Sequence, residues 1–499
     1  MLKLLQGFWR SCRVFFQKKS LSGQKVKPED QTESPAAAPA IIKTSSGKLP
    51  IHVGIDFGTS CSKACYQIQD GREKVYLIDF KHQLKSFPSY VIPSVLIGDE
   101  QNRIYIGEEA GEAVEAGKWG LGLRNFKTLL ASVQNEDFVD KVSASHFKEN
   151  LQLLGLDKEG VGVSEVTSLY VAYMMHRCRD FLKRQYVGRE LHINYNVCIP
   201  IDYAEDNLVR KDFEKMLAVA QELYRFWERE KGESRSLLRL ASELKSQCVY
   251  DETQMNVFAI PEAVAELVGY RKSADREAGL YALIDIGSGT TDVSIFRLDR
   301  GLKERAVWLS SDAIPMGMYQ LEKLVVKALR KQGHDDSLGE VYRAFENFKE
   351  ISTGLQEDVF LRIRKRIRAF IRSDEYKRPW RSAHIKLRKQ RRESLDDIKI
   401  VFLAGGGAKI ALAKGMNFLF SSSPLASSAV SKKPYNLSAL SCSPNLEGAL
   451  VSDFWRLSVA YGLSFPAPKL GEYKLPKDFP EDNPPSLPIQ DWPDRDDTR

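Results

Sequence analysis

Two stretches far apart in the chain share a four-residue core, and that repeat constrains the fold more than any other feature. Residues 52–68 read HVGIDFGTSCSKACYQI and residues 281–298 read YALIDIGSGTTDVSIFRL. Ile55-Asp56-Phe57-Gly58 in the first matches Ile284-Asp285-Ile286-Gly287 in the second. Each apolar run stops at an acid and a glycine, passes through a polar turn, and resumes as residues suited to a strand. A dinucleotide-binding glycine loop opens a helix. The turn after Gly287 instead opens sequence rich in Thr, Val and Ile, which predicts a β-hairpin. Glycines at such a tip let backbone N–H groups approach a phosphate. Asp285, Thr290, Thr291 and Asp292 would add carboxylates and hydroxyls beside it. One such hairpin is also what an ordinary polar turn looks like. Two of them predict two similar domains facing one phosphate site.

A third glycine cluster, Gly405-Gly406-Gly407, follows the apolar residues 400–404 and precedes a stretch, 408–420, with helical spacing. A strand, a glycine turn and a helix N-terminus make a ready anion site. In this order the three segments resemble the nucleotide-binding signatures of the actin-like ATPase superfamily, and most of all those of the DnaK-type, seventy-kilodalton heat-shock chaperones. VGIDFGTS resembles the first phosphate motif, LIDIGSGTTDVSIF the second and FLAGGGAKI the adenosine motif. Residues 89–110, 196–220, 261–270 and Val459-Ala460-Tyr461-Gly462 resemble other family segments, and Arg124-Asn125-Phe126-Lys127 falls where the family carries its catalytic lysine. The likeness spans roughly 50–465.

The resemblance implies an α/β fold of the actin-like ATPase type, with two ribonuclease-H-like lobes, 51–250 and 251–465, around a central nucleotide cleft. It implies ATP or ADP with Mg²⁺ as cofactors and hydrolysis of ATP to ADP and phosphate. Gly58, Thr59 and Ser60 would cradle one side of the phosphates; Gly287, Ser288, Gly289 and Thr290 would cradle the other. Asp56 and Asp285 would hold the hydrated Mg²⁺, which keeps several of its waters. Lys127 would stabilise charge at the terminal phosphate, and Asp292 would help position the attacking water. Gly405, Gly406, Gly407 and Lys409 would contact adenosine and the α-phosphate. In one departure, the family's acid before proline is replaced by Ile260-Pro261-Glu262, which puts the acid Glu262 after the proline. In another, serine replaces the middle glycine in Gly287-Ser288-Gly289. A DnaK-like ATPase acting on a protein partner is therefore expected. A scaffold that binds nucleotide without turnover, or a polymerising actin-like protein, are the alternatives.

At 499 residues the chain can bury a large core, and 43% apolar with 28% charged residues is the balance of a soluble globular protein. Its seven cysteines show no paired spacing, so reduced thiols, a cytoplasmic setting and no zinc site are expected. The net charge of +7 comes from one segment. Residues 361–392 hold fourteen Lys/Arg against Asp374 and Glu375, and the rest of the chain is acidic. That run reads as a solvated face or a protein-docking surface. A nucleic-acid partner is not expected, because no RNA-binding signature accompanies it.

Spacing predicts helices over 163–186, 205–227, 261–270 and 320–329, and strands over 191–200 and 398–403. Residues 228–250 read as a helical insertion, and 333–397 as a reduced, basic helical subdomain. Basic, apolar residues 1–19 read either as an amphipathic anchor on a membrane surface or as a helix packed on the body. Residues 20–50 read as a disordered linker and 466–499 as a disordered Pro/Asp-rich tail, too short for the peptide clamp of the chaperones.

Overall fold

A computed structural model describes residues 47–478, apart from segments at 86, 117–120, 133–140, 231–232, 252, 300–304, 319–352, 391–393, 409–419, 422–423, 426–434, 441–444 and 450–453. The chain divides into a unit at Met1–Ile42, wholly outside the described residues, and a unit at Lys43–Arg499, described below. The readings of 1–19 and 320–329, and Lys409 itself, lie outside the described residues. So does most of the expected linker.

The fold is α/β, with mixed sheets and helices. Its strands in chain order are β1 Leu49–Asp56, β2 Cys61–Ile68, β3 Val75–Leu77, β4 Ile92–Pro93, β5 Leu96–Gly98, β6 Ile104–Ile106, β7 Leu121–Leu123 and β8 Leu191–Ile199. They continue as β9 Val257–Pro261, β10 Gly279–Ile286, β11 Thr291–Leu298, β12 Ala306–Ile314, β13 Ile398–Ala404, β14 Asn436–Ala439, β15 Leu446–Glu447 and β16 Tyr473–Lys474. One sheet runs β15-β3-β2-β1-β8-β9, with β4 on β2; the second runs β14-β13-β10-β11-β12-β16. A small sheet, β6-β5-β7, stands apart.

The two large sheets repeat one plan. In the first, β3, β2 and β1 are joined antiparallel, and β8 and then β9 add parallel to β1. In the second, β12, β11 and β10 are joined antiparallel, and β13 and then β14 add parallel to β10. The matching IDFG and IDIG cores therefore end the same strand of each plan. Parallel neighbours need crossover helices, and these cover the faces. Val53, Ile55 and Phe57 are accordingly buried in the first sheet, and Ala282, Ile284, Val293, Ile295, Leu309, Val401 and Leu403 form the core of the second. A side chain of this size contributes roughly 1.5–3 kcal/mol when fully buried.

The helix Val163–Gln185 covers the first sheet with its expected apolar face, including Val166, Leu169, Met174, Cys178 and Leu182. Its start is fixed by the Glu165 carboxylate, which accepts the Gly162 N–H at 2.7 Å. The helix Asn207–Glu230 follows β8 where a helix over 205–227 is expected, and the helix Ser234–Lys245 lies within the expected insertion 228–250. The basic run forms two helices, Thr353–Arg372 and Asp374–Gln390. Tyr376, Trp380, Ala383 and Leu387 pack the second helix on the core, which leaves Arg381 and Arg388 outward.

Three expectations need correction. Pro261 does not open a helix: it ends β9, opposite Ile199 of β8, with extended φ −59° and ψ 129°, and the helix begins at Glu262. The proline lacks an N–H but can accept at the strand end. The linker stops before Leu49, because Leu49 and Pro50 already pair with β8. The disordered tail does not start at 466. Leu470 and Leu475 are buried, β16 adds parallel to β12, and the Lys386 ammonium donates to the Pro476 carbonyl at 3.2 Å. Composition suggested disorder there, but two apolar anchors and a sheet edge offset the entropy of ordering. No described helix is long and apolar enough to cross a membrane.

The helix Phe454–Leu463 locks the structure together. It lies on β1 and β2 and against the helix Glu262–Glu266. A Cβ at Gly54 would meet Ser464 N at 2.4 Å, and one at Gly462 would meet Ala265 O at 1.8 Å. Asn196 of β8 fixes the helix end by donating to Leu463 O at 2.7 Å and Phe465 O at 2.9 Å. Backbone cannot yield as a flexible side chain can, so Gly462→Ala should destabilise the protein by about 3 kcal/mol. Urea unfolding checks this; a loss below about 0.5 kcal/mol, the range of neutral surface changes, would show that the helix has room to move.

Candidate functional site

Both hairpin tips lie at the ends of their sheets and meet. The Ser60 and Ser288 hydroxyls are hydrogen-bonded across the junction. A Cβ at Gly289 would stand 3.0 Å from Thr59 Cγ2 and 3.1 Å from Thr128 Oγ1. The second tip is braced from behind: Met318 N donates to Gly287 O at 3.0 Å, and a Cβ at Gly317 would strike Ser288 O at 2.2 Å. The third glycine cluster joins them. Gly405 has φ +75°, and a Cβ there would sit 1.9 Å from Asp285 Oδ1, so only glycine lets β13 end against that carboxylate. Gly407 abuts Ile286, and Gly406 faces open space. The structure thus brings Gly58, Thr59, Ser60, Gly287, Ser288, Gly289, Thr290 and Gly405, Gly406, Gly407 to one region.

Beneath the tips lies a buried group of charges. Asp56 ends β1, and its Oδ2 accepts from Lys63 Nζ at 2.6 Å. The pair is set by the hairpin register, in which Asp56 faces Lys63. Cys198, on β8, donates toward Asp56 Oδ1 at 3.7 Å and accepts the Phe57 N–H at 3.2 Å. Lys127, in the first turn of the helix Phe126–Ser132, reaches Glu262 Oε2 at 2.9 Å and Cys198 Sγ at 3.5 Å. Glu262, not Ile260, is therefore the residue at this cluster; Ile260 is buried in β9 opposite Cys198. Glu266, one helical turn on, accepts from the Ser458 hydroxyl at 3.1 Å. Asp292 faces Asp285 across β10 and β11, so the two share one side of the sheet.

The electrostatics follow from burial. Burial pushes the Asp285 carboxyl up to about 7, helped by the charges of Glu262 and Asp56 and opposed by Lys63 and Lys127. Burial, with Asp285 and Glu262, also holds Glu266 well above the usual carboxylate range. Burial works against charge on Lys127, but Cys198, Glu262 and Asp56 outweigh it and raise its pKa well above 10.5. Burial raises the Cys198 thiol well above 9.0, so it is a neutral thiol. Asp56 and Glu262 are matched by Lys63 and Lys127, while burial drives Asp285 and Glu266, which have no such partner among the described residues, toward their protonated forms.

Asp285 is the residue that fits a cation: its Oδ1 is buried without a hydrogen-bond partner among the described residues. Asp56 fits less well, since its oxygens already face Lys63 and Cys198. The sequence pattern passed over Lys63, Cys198 and Glu266. Lys63 was findable as the cross-strand partner of Asp56; Cys198 and Glu266 depend on the parallel register of β1 with β8 and on the helix after β9. A second group of ligand-type side chains, His176, Asp180 and Glu228, is already served by Arg179 and Lys183, each 3.0 Å from Glu228.

Compared with known proteins, the chain matches no family model and no curated protein.

A pH dependence follows from Asp285. Its folded pKa is raised from 3.8 to about 7, so the folded state binds the proton more tightly than the unfolded state. The stability this contributes is complete below about 4 and is lost as pH rises through about 7. In metal-free buffer the thermal midpoint of the wild type should therefore fall between pH 5 and 8, and Asp285→Asn should flatten that slope. An unchanged slope in the variant would assign the titration to another group.

Proposed function

We propose that this chain is a Mg-ATP-binding protein of actin-like fold and DnaK-like type, whose two lobes close on nucleotide and control a protein partner. The observation that carries the reading is the convergence of two like hairpins, from two sheets of one strand plan, above buried carboxylates. Glycine- and hydroxyl-bearing tips suit phosphate oxygens, and the carboxylates beneath suit a hydrated divalent ion. Phosphoryl transfer asks mainly for positioning and charge stabilisation, both of which such a site can supply.

In this reading Gly58, Thr59 and Ser60 bind one side of the phosphates, and Gly287, Ser288, Gly289 and Thr290 the other. Gly405, Gly406 and Gly407 give the adenosine side a surface without side chains. Asp285 holds the hydrated Mg²⁺, which supplies charge neutralisation at the phosphates. Lys127 turns its ammonium to the terminal phosphate. Glu262, its ion-pair partner, accepts the proton of the attacking water, and Asp292 orients that water. The outward basic face of the helices Thr353–Arg372 and Asp374–Gln390 is the docking surface for the partner.

Two measurements test this. Mg-ATP at 100 times its dissociation constant should add ~2.7 kcal/mol of stability, seen as a thermal shift that Asp285→Ala largely removes. No shift at millimolar nucleotide would sink the reading. A positioned acid–base group contributes 10²–10⁴-fold, so Glu262→Gln should slow single-turnover hydrolysis by about that factor at unchanged ATP affinity. Equal rates for both proteins would favour a nucleotide-binding scaffold. Separately, replacing Arg388, Lys389, Arg391 and Arg392 with Glu should weaken association with a co-purifying protein and leave ATP affinity within about twofold, because rim charges act on association. A large loss of ATP affinity would instead put this segment over the nucleotide.

A further inference from the structure

Asp56 and Asp285 stand at matching points of the repeated plan, yet their surroundings differ. Asp285 Oδ1 has no hydrogen-bond partner among the described residues. Asp56 has a buried ammonium, Lys63 Nζ, 2.6 Å from Oδ2. At the register position opposite Asp285 the second hairpin carries Asp292, where the first carries Lys63. The repeat thus places a carboxylate across from one acid and an ammonium across from the other.

We propose that Lys63 is a built-in cation of this site: it fills the cation place at Asp56 and excludes a metal ion from that carboxylate, so that a divalent ion is held on the Asp285 side. Lys63 cannot swing away to admit an ion. Residues 62–68 of β2 are buried, and Lys63 itself is 9% exposed. A metal ion on Asp56 would sit about 2 Å from its oxygen, with the Lys63 ammonium as near neighbour. Arg456, on the helix Phe454–Leu463, adds positive charge near Lys63. The other oxygen of Asp56 faces the neutral Cys198 thiol, beyond which stands the Lys127 ammonium. On this side each carboxylate already has its ammonium, Asp56 with Lys63 and Glu262 with Lys127. Asp285 and Glu266, in contrast, have no cation partner among the described residues. Only the divalent half of the proposal rests on the Mg-nucleotide reading; the monovalent half concerns Asp56 alone.

Removing the ammonium should turn Asp56 into a place for a free cation. The thermal midpoint of Lys63→Ala is measured without nucleotide, in choline chloride and in ammonium chloride of equal ionic strength. The variant should melt below wild type in choline and regain at least half of the difference in ammonium, while wild type melts alike in both. Equal midpoints for the variant in the two salts would overturn the proposal. Anomalous diffraction from Mn²⁺ in wild-type crystals tests the same claim without a variant that must fold. The peak is expected beside Asp285; an ion bonded to Asp56 would overturn it. Failure of Mg-ATP to shift the wild type would count against the proposed function and leave the choline–ammonium comparison standing.

Discussion

Carboxylates buried at strand ends need compensating charge, and that need organises this structure. An isolated buried carboxylate is too costly to keep ionised, so it must gain a partner or take up a proton. Asp56 gains Lys63, Glu262 gains Lys127, and Asp285 moves toward neutrality. Each solution draws on a different element: a hairpin neighbour, a helix from the segment between the small sheet and the helical layer, and the end of the second sheet. Breaking either ion pair from one side would leave a buried charge, a loss of about 3–5 kcal/mol.

Two packing constraints deliver these groups to one place. The helix Phe454–Leu463 approaches β1 and the helix Glu262–Glu266 so closely that only glycine fits at 54 and 462. Its Ser458 also holds Glu266. At the opposite contact, Gly405 and Gly407 bring the end of β13 against Asp285 and Ile286. Closure of the site thus depends on backbone contacts, which tolerate little displacement, while the tips themselves meet through hydroxyl groups that can exchange partners.

Much of this was legible in the sequence because it is local. An apolar run ending in acid–glycine, followed by residues suited to a strand, sufficed for both hairpins, and 3.6-residue spacing sufficed for the helix Val163–Gln185. What escaped depends on pairing between distant segments. The place of Glu262 follows from Pro261 extending β9 against β8, which turns the next residue into the cluster. Lys63 drew no notice in the sequence, but burial of both faces of β2 makes it an internal cation. Residues 466–478 looked like tail by composition, yet two leucines and a short parallel pairing were enough to order them.

In the proposed function the two hairpin tips act together on one phosphate-bearing ligand. Hydrogen exchange of the backbone amides at 57–61 and 287–291, with and without Mg-ATP, tests it most directly. Both tips should gain protection at the same nucleotide concentration, and Asp285→Ala should weaken both gains in parallel. Protection of one tip alone, or of neither in protein that binds nucleotide, would contradict it.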